Sequence, residues 1–237
     1  MKTPAATREA GSVRAMFAQI APRYDLMNRL MTGGMDQIWR KEVIRRAELR
    51  AGDRLLDLGA GTGDLAREAL RRIPGCVVTA GDFTLEMMLA GKRRHAQPEQ
   101  WAGTDALNLP FPANSFDAVV SGFLMRNVVD LERALAEQMR VLKPGGRFIC
   151  LDTTRPVESI LSPLIRFHMR RVIPFAGALL TGERAAYTYL PETSENFLAA
   201  EDLLARVAAA GFEAPGFHRV NFGTVAIHWG RKPATPA

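Results

Sequence analysis

The chain has 237 residues, 47% of them hydrophobic, and its 31 Lys and Arg residues against 25 Asp and Glu residues give a net charge of +6. This length suits one large domain, or one domain with an insertion, and the mild, dispersed charge selects no partner by itself. The two cysteines, Cys76 and Cys150, exclude a disulfide framework, and neither a zinc site nor any other metal site is expected. Residues 1–14 lack the apolar core of a signal peptide, and the longest apolar run, Val172–Leu180, is about half a membrane span, so we expect a cytoplasmic protein.

Residues 13–49 are predicted to be helical, and Met35–Leu49 leads into a region where strands and helices alternate. Between residues 50 and 154 the strands are continuous apolar runs, which indicate a parallel sheet covered by helices on both faces. Lys143–Gly146 is typical of a helix stop and turn before the fifth strand. The predicted strands are Arg54–Leu58, Cys76–Ala80, Gln100–Gly103, Phe116–Gly122 and Arg147–Asp152, and the predicted helices are Leu65–Arg72, Leu85–His95 and Leu131–Leu142.

Residues 155–200 interrupt this alternation. Ser162-Pro163 resembles a helix start, and the helix that follows is apolar on one face and basic on the other. Such a helix suits a membrane surface or a lid over a lipid pocket, although a plain surface helix is the simpler interpretation. A helix at Ala200–Ala210 and strands at Glu213–Asn221 and Thr224–Gly230 end the chain. We expect a single domain with an N-terminal helical cap (1–49), a cofactor-binding α/β core (50–154), a helical insertion forming a substrate lid (155–200) and a C-terminal helix and hairpin (201–237).

The segment Leu55–Asp64 is predicted to be a buried strand that breaks into a glycine-rich turn and then a helix. This is the architecture of a nucleotide-type cofactor loop. A dinucleotide loop would have its third glycine at position 64, where this chain has an aspartate that would repel a pyrophosphate. S-adenosylmethionine has no phosphate, and Asp57 and Asp64 would attract its ammonium and sulfonium cations. An ordinary strand-to-helix turn capped by Asp64 is the alternative. The residues predicted to form this donor site are Asp57, Gly59, Gly61 and Gly63.

Two further acids support a donor site. Asp82 ends the second strand 19 residues beyond Gly63, close to the spacing at which a carboxylate binds ribose hydroxyls. Downstream, Asp105 could accept a hydrogen bond from an adenine amino group, while Phe83 and Met87 could pack on the adenine ring. Core packing is the alternative for these two apolar side chains.

With these residues in view, the chain resembles the ubiquinone/menaquinone biosynthesis C-methyltransferase family along nearly its whole length. The glycine loop and Lys143–Gly146 occur across class I methyltransferases, whereas three stretches are more particular to the family: Tyr24-Asp25-Leu26-Met27-Asn28, Arg126-Asn127-Val128 and Tyr187-Thr188-Tyr189-Leu190. The chain departs from the family pattern at several positions, and Leu124 and Met125 are expected to thicken a wall near the donor. The other departures are Thr32 for serine, Asp36 for histidine, Gly122 for serine and Asp152-Thr153-Thr154 for Glu-x-Ser.

The resemblance implies a Rossmann-like class I methyltransferase fold, with a seven-stranded mixed sheet, helices on both faces and an antiparallel C-terminal hairpin. It implies methylation of a ring carbon of a prenylated quinol, either demethylmenaquinol or the equivalent benzoquinol of ubiquinone synthesis. The expected setting is the cytoplasm, with peripheral contact at the inner face of the membrane, and both a monomer and a homodimer are compatible with the sequence. The implied S-adenosylmethionine contacts are Thr62, Asp82, Asp105, Ala106 and Gly122.

Ring methylation requires the neighbouring hydroxyl to lose its proton, so the site must orient the ring and support a developing phenolate. Arg126 stays protonated and could stabilise this charge, Asn127 could orient the hydroxyl and Asp152 could accept the proton. In the structural alternative, Arg126 and Asn127 hold a helix capped by Asp130, and Asp152 pairs with Arg155. The acceptor site is expected to include Tyr24, Asn28, Tyr187 and Tyr189.

Three other functions compete with this prediction. A phospholipid or other small-molecule methyltransferase would use a similar chain, but the family-specific stretches argue against it. A nucleic-acid N-methyltransferase would carry an Asn/Asp-Pro-Pro-aromatic turn where this chain has Ser121-Gly122-Phe123-Leu124, so no nucleic-acid partner is expected. A catalytically idle scaffold that binds the donor within a quinone-biosynthesis complex remains compatible with the glycine loop.

Overall fold

The computed structural model of the chain describes residues 10–95, 98, 100–155 and 197–234. The predicted helix after Ser162-Pro163, and also Tyr187 and Tyr189, lie outside these residues. The helices are α1 (Ala10–Ile20), α2 (Tyr24–Thr32), α3 (Met35–Ala47), α4 (Asp64–Arg72), α5 (Leu85–Arg94), α6 (Leu131–Val141) and α7 (Ala200–Ala209). The strands are β1 (Arg54–Leu58), β2 (Val77–Asp82), β3 (Gln100–Gly103), β4 (Phe116–Gly122), β5 (Leu142–Thr153), β6 (Glu213–Val220) and β7 (Val225–Arg231).

Within the described residues the strands form one seven-stranded sheet in the order β3-β2-β1-β4-β5-β7-β6. The first five strands of this order are parallel, and β7 runs antiparallel to both of its neighbours. The mixed sheet and the antiparallel C-terminal pair expected from the sequence are therefore confirmed. No helix in the described ranges combines the length and apolar character needed to cross a membrane.

Helices cover both faces of the sheet because successive side chains of each strand point to opposite sides. On β1, Leu55 packs with Trp39 and Ile44 of α3, whereas the next residue, Leu56, packs on the other face with Leu135 of α6. The side chains of Leu55, Leu56, Ile44 and Leu135 are at most 1% exposed. Burying each of them contributes roughly 1.5–3 kcal/mol to the stability of the fold. The two cores hold the central strands in place, and these strands in turn fix the turns at their carboxyl ends.

The predicted bounds of β1, β3 and β4 are confirmed, but the predicted start of β5 is wrong. The strand begins at Leu142, which pairs with Phe116, and the register then jumps to the pair formed by Arg147 and Ala118. The intervening Lys-Pro-Gly-Gly sequence forms an irregular part of the strand rather than a separating turn. It is held by the chain after β7, because the amide of Gly145 donates to the Lys232 carbonyl and the amide of Lys232 donates to the Gly146 carbonyl.

Candidate functional site

A cavity of about 160 Å³, called here the main cavity, lies at the carboxyl edge of β1, β2 and β4. Ligands of open α/β sheets bind at this edge, where the strand order reverses. The main cavity brings together most of the residues that the sequence predicted for the donor and acceptor. Those predicted residues are Tyr24, Gly59, Gly61, Asp82, Phe83, Asp105, Ala106, Gly122 and Asn127, and Met87 also lines it.

The glycine loop follows β1 and adopts a backbone that side chains rarely tolerate. Gly59, Gly61 and Gly63 have φ angles of 69°, 59° and 88°. A Cβ atom on Gly61 would lie 3.2 Å from the methyl carbon of Met87 and 3.9 Å from the Tyr24 ring, so a glycine keeps this approach open. Gly63 faces elsewhere, because a Cβ there would lie 3.0 Å from the Trp101 ring. Gly59 and Gly61 thus border the main cavity, while Gly63, the N-cap of α4, lets the loop pack closely against Trp101 of β3.

Asp82 fixes the glycine loop from the end of β2. One of its carboxylate oxygens accepts a hydrogen bond from the Gly61 amide at 2.7 Å, and the other accepts one from the Thr84 amide at 2.7 Å. Burial raises the pKa of this carboxyl, although the amide hydrogen bonds oppose the shift. Each carboxylate oxygen retains capacity for a further donor, so the predicted contact with ribose hydroxyls fits the geometry.

Asp57 lies at the end of β1 and lines a second, smaller cavity of about 30 Å³ rather than the main one. Its side chain is 1% exposed; one oxygen accepts a hydrogen bond from the Ala66 amide at 2.9 Å, and the other oxygen has no partner in the described structure. Burial raises its pKa to about 7, and nearby Asp82 and Asp64 add to the shift. A buried carboxylate with an unpartnered oxygen fits a ligand that brings a cation.

Asp64, predicted to attract the donor's cations, is already paired inside the protein. It forms an ion pair with Arg67 and a second one, at 3.2 Å, with Arg40 of α3. It is also the first residue of α4 and not its cap, because the N-cap position is Gly63. Asp64 nevertheless lines the smaller cavity, so its predicted attraction for the donor's cations stays a prediction.

Thr62, predicted to contact the donor, has a structural contact as well. Its hydroxyl donates a hydrogen bond at 2.5 Å to Asp25 of α2, and Thr62 borders the smaller cavity. The second oxygen of Asp25 accepts a hydrogen bond from Arg94 of α5 at 2.8 Å, and Arg94 also donates to the Pro22 carbonyl. Asp25 therefore fastens the N-terminal helices, which bring Phe17 and Tyr24 to the main cavity, onto the glycine loop. This role of Asp25 was not predicted, although the Tyr-Asp pair at the start of the family-specific stretch was a signal.

Arg126 and Asp152 form a buried pair beside the main cavity but do not appear among its described lining residues. Their side chains are 6% and 1% exposed, and an Arg126 terminal nitrogen lies 3.5 Å from an Asp152 oxygen and 3.2 Å from the Thr153 hydroxyl. The alternative pairing of Asp152 with Arg155 is thus replaced by pairing with Arg126. Burial raises the pKa of Asp152, and the Arg126 charge opposes that shift.

Asn127 follows Arg126 in a short 3-10 helix (Met125–Asn127) and lines the main cavity. Its side-chain nitrogen, Nδ2, donates a hydrogen bond to the Phe123 carbonyl at 2.9 Å, and this contact holds the turn after β4. Asp130 caps α6 by accepting a hydrogen bond from the Arg133 amide, so the expected helix cap is confirmed. The contacts of Asn127 and Asp130 therefore agree with the structural alternative, in which this turn holds the following helix. Asn127 nevertheless also lines the main cavity.

Tyr24 stands between the two cavities and borders both. Burial raises the pKa of its hydroxyl, while the hydrogen bond with Asn28 and the charges of Arg126 and Arg40 lower it. Asn28 does not line either cavity in the described structure, but it supports the tyrosine that does. The substrate role of Asn28 stays a prediction, and its described contact is the hydrogen bond with Tyr24.

Leu124 and Met125, both expected to thicken the wall near the donor, lie in different environments. Leu124 lines the main cavity and packs on the glycine loop, since a Cβ on Gly59 would lie 3.0 Å from a Leu124 methyl carbon. Met125 is 1% exposed and packs in the core near Gln138, so the expectation for Met125 is wrong. Successive side chains in this turn point in opposite directions.

Thr32 and Asp36, two departures from the family pattern, contact each other. The Thr32 hydroxyl donates to Asp36 at 3.0 Å, and Asp36, 1% exposed, forms an ion pair with Arg40. The acid in place of the family's histidine thus serves as a buried counterion for an arginine that borders the smaller cavity. No pattern in the sequence indicated this role for Arg40.

The lining of the main cavity fits S-adenosylmethionine better than a dinucleotide. Among the described lining residues the charged groups are Asp82 and Asp105, and no Lys or Arg is present to receive a pyrophosphate. Phe83, Met87 and Leu124 supply apolar surface for an adenine ring. Because Gly61 has no side chain, a ligand can approach the loop backbone closely. The lining residues of the main cavity are therefore suited to a cationic ligand without phosphate.

Comparisons with solved structures agree with the fold. The [4+2]-cyclase SpnF superposes with a TM-score of 0.71 at 20% identity, covering 97% of this chain and 98% of that one. Phosphoethanolamine N-methyltransferase 2 from Haemonchus contortus, solved in complex with S-adenosyl-L-methionine, gives a TM-score of 0.65 at 16% identity, covering 92% of this chain and 56% of that one. At these identities the similarity establishes the fold alone.

Sequence relatives are much closer. A ubiquinone/menaquinone biosynthesis C-methyltransferase UbiE from Desulfotalea psychrophila is 45% identical over 221 residues, covering 93% of this chain and 90% of the relative. A demethylmenaquinone methyltransferase from Thermus thermophilus is 45% identical over 222 residues, covering 92% of this chain and 100% of the relative. The model of the ubiE/COQ5 methyltransferase family matches residues 5–232. The chain therefore belongs to the ubiE/COQ5 methyltransferase family.

Proposed function

We propose that this chain transfers a methyl group from S-adenosylmethionine to a ring carbon of a prenylated quinol, either a demethylmenaquinol or the equivalent benzoquinol. Family membership and relatives named for these reactions support the proposal. The observation in this chain that carries it is the position of the acid-lined main cavity beside the buried Arg126–Asp152 pair.

In the donor half of the site, Asp82 would accept hydrogen bonds from the ribose hydroxyls and Asp105 one from the adenine amino group. When bound, S-adenosylmethionine supplies an electrophilic methyl group on a sulfonium whose departure needs no acid. The chain's remaining task is to orient the quinol ring and to manage its proton. Phe83 and Leu124 lie on the apolar wall that would exclude water from the reacting atoms.

In the acceptor half, Arg126 would stabilise the negative charge that develops on the ring oxygen. Its guanidinium is almost fully buried, and a charge acts more strongly in a water-poor site than in solution. Burial raises the pKa of the Tyr24 hydroxyl and the Arg126 charge opposes that shift, so the field of Arg126 reaches this hydroxyl. Since Tyr24 borders the main cavity, the same field would act on a quinol hydroxyl beside it.

Asp152 is the proposed proton acceptor, acting with Arg126. Its pKa lies above the usual range because of burial, which makes the carboxylate a better base. Asn127, on the cavity wall, would orient the hydroxyl that loses the proton. These roles rest on the geometry of the turn after β4 and on the end of β5.

We also propose that the quinol reaches the site from a membrane surface, to which the chain binds peripherally. Val129 and Phe83 line the main cavity and yet are 65% and 48% exposed, so its rim is apolar. A prenyl tail could enter from lipid across such a rim without crossing water. Co-sedimentation with anionic lipid vesicles, compared with the variant Val129→Asp, tests this route; equal binding of both proteins would contradict it.

The test of the reaction is transfer of labelled methyl from S-adenosylmethionine to reduced demethylmenaquinone, a demethylated benzoquinol or phosphatidylethanolamine. Label in a quinol alone is expected. Label in the phospholipid would contradict the proposal, and donor binding without any transfer would favour the idle scaffold.

Variants then separate the two halves of the site. Asp82→Ala is expected to lose binding of S-adenosylhomocysteine, whereas Arg126→Ala is expected to retain it and lose turnover. Arg126→Lys, which keeps the charge, should recover part of the rate, and Arg71→Ala, at an exposed arginine, is the control. Normal turnover in Arg126→Ala would contradict the assigned role.

A further inference from the structure

The guanidinium of Arg126 rests on the ring of Phe123, which borders both cavities. Its central carbon lies 5.0 Å from the centre of that ring, so a cation–π contact holds the charge above the aromatic face. Such a contact sets the distance between the guanidinium and the ring, but it leaves the guanidinium free to rotate over the face. Hydrogen bonds from the nitrogens of Arg126 must therefore fix the direction in which the group points.

The side-chain hydrogen bonds of Arg126 to the described residues all start from one terminal nitrogen, Nη1. The Nε nitrogen is buried and has no partner in that part of the chain. Nη1 lies 3.5 Å from an Asp152 oxygen, longer than the roughly 2.7–2.9 Å of a strong charge-assisted hydrogen bond. It lies 3.2 Å from the hydroxyl oxygen of Thr153. Among the described residues, the nearest side-chain acceptor of this buried cation is therefore a neutral hydroxyl.

The short side chain of Asp152 accounts for the long distance to Arg126. Its oxygens accept hydrogen bonds from the Thr153 amide at 2.8 Å and the Arg126 amide at 3.2 Å, so the carboxylate cannot move toward Nη1 without losing them. The family pattern has glutamate at this position, and a glutamate carboxylate extends one methylene group farther from the backbone. In this chain the carboxylate stops short of the guanidinium, and the Thr153 hydroxyl supplies the closer contact.

We propose that Thr153 is a positioning residue for methyl transfer: its hydroxyl orients the Arg126 guanidinium and replaces the contact that a carboxylate longer than Asp152 would make. The inference rests on the proposed function, in which Arg126 stabilises the charge that develops on the quinol oxygen. Thr153 does not need to touch either reactant. Removing its hydroxyl leaves Arg126 charged and buried but lets the guanidinium turn over the Phe123 ring, so the loss should appear only in the transition state.

Thr153→Val keeps the shape of the side chain and removes the hydroxyl. In transfer of labelled methyl to the quinol that the wild type methylates best, kcat should fall about tenfold or more, the typical effect of a hydrogen bond to a charged group. The value of kcat/KM for the quinol should fall equally, because the lost contact acts in the transition state. Calorimetric affinity for S-adenosylhomocysteine should stay at the wild-type value. Thr153→Ser, which keeps the hydroxyl, should retain most of the rate.

A double substitution tests whether the hydroxyl replaces the missing methylene group. Asp152→Glu supplies the longer carboxylate, and in that background Thr153→Val should lower kcat by less than about twofold. The readout is the ratio of the two losses, so any constant effect of the glutamate cancels. Thr79→Val is the matched control and should retain the wild-type kcat. Thr79 is a buried threonine of β2 whose hydroxyl donates to the Gln100 side chain at 3.1 Å, and it lines neither cavity.

The outcomes separate a positioning role from a structural one. Unchanged kcat in Thr153→Val, or an equal loss in both backgrounds, would overturn the inference. A fall in S-adenosylhomocysteine affinity as large as the fall in kcat would also overturn it, because Thr153 would then only support the fold of the site. If Thr153→Val does not fold, Thr153→Ala must show the same selective loss. Wild-type protein that methylates no quinol would instead contradict the proposed function itself.

Discussion

Replacing Asp57 with asparagine should change how the stability of the protein depends on pH. The folded-state pKa of Asp57 is about 7, against 3.8 for the ordinary carboxyl, because burial disfavours the charged form. Between these two values the folded chain holds a proton that the unfolded chain has lost. Its stability therefore falls as the pH rises from about 4 to 7 and stays low above that range.

The size of the effect follows from the same two pKa values. A difference of about three pKa units corresponds to about 4 kcal/mol of unfolding free energy in total. About 2 to 3 kcal/mol of this loss falls between roughly pH 5 and pH 8, because part of it has already occurred below that range. Asp57→Asn carries no titrating proton at this position, so its stability relative to wild type should rise by that amount over the interval.

Urea denaturation followed by tryptophan fluorescence, at several pH values across this interval, measures the difference. The substitution also has a cost that does not depend on pH, because an asparagine NH₂ group would lie where an unpartnered oxygen lies now. Comparing how the unfolding free energies of the two proteins change with pH removes this constant cost. Asp202→Asn, an exposed acid in the first turn of α7, is the control and should follow the wild-type slope. Parallel curves for Asp57→Asn and wild type would refute the argument that Asp57 is a buried, uncompensated acid.

Three further substitutions test the packing around the glycine loop. Gly91→Ala would normally stabilise a helix by about 1 kcal/mol, but its Cβ would overlap the carbonyl oxygen of Thr62, so a lower melting temperature is expected. A higher melting temperature would contradict that contact. Asp25→Asn weakens the attachment of α2 to the loop and should reduce S-adenosylhomocysteine affinity several-fold in calorimetry; an unchanged affinity would show that the attachment does not matter for binding. Leu124→Gly should widen the main cavity beside Gly59 and raise the relative kcat/KM for bulkier quinols, and an unchanged ratio in a competition assay would argue that this wall does not select the acceptor.

Much of the fold was accessible from the sequence because its signals are local. The strands at Arg54–Leu58 and Phe116–Gly122 are short apolar runs between turn residues, and their bounds agree with the structure. The start of β5 was not accessible, since the Lys-Pro-Gly-Gly segment is set by hydrogen bonds to Lys232, about ninety residues away in the chain. The class of methyltransferase and its donor, predicted from the loop and the resemblance, are confirmed by the family match.

In the candidate site, too, residues with a local sequence signal were predicted, and residues placed by contacts distant in the chain were not. Asp82 was identified from its distance along the chain to the glycine loop, a spacing fixed by one strand-helix-strand unit. Arg40 and Asp25 were missed because their partners lie in other elements, and no periodicity in α2 or α3 indicates where these helices dock. Met125 was misplaced because side-chain direction in a tight turn depends on one backbone angle: Phe123, two residues earlier, has a positive φ of 61°.

The place of β7 in the sheet has a consequence for how the protein is made. Although β7 is the last strand in sequence, it lies between β5 and β6 and pairs with both. While the chain is being synthesised, β5 therefore keeps an open edge of unpaired backbone N–H and C=O groups until β7 is available to pair with it. Open edges of this kind invite pairing with other chains, so the nascent protein depends on late completion of its sheet to escape aggregation. A ribosome stalled before β7 would leave a donor-binding half with an unprotected edge.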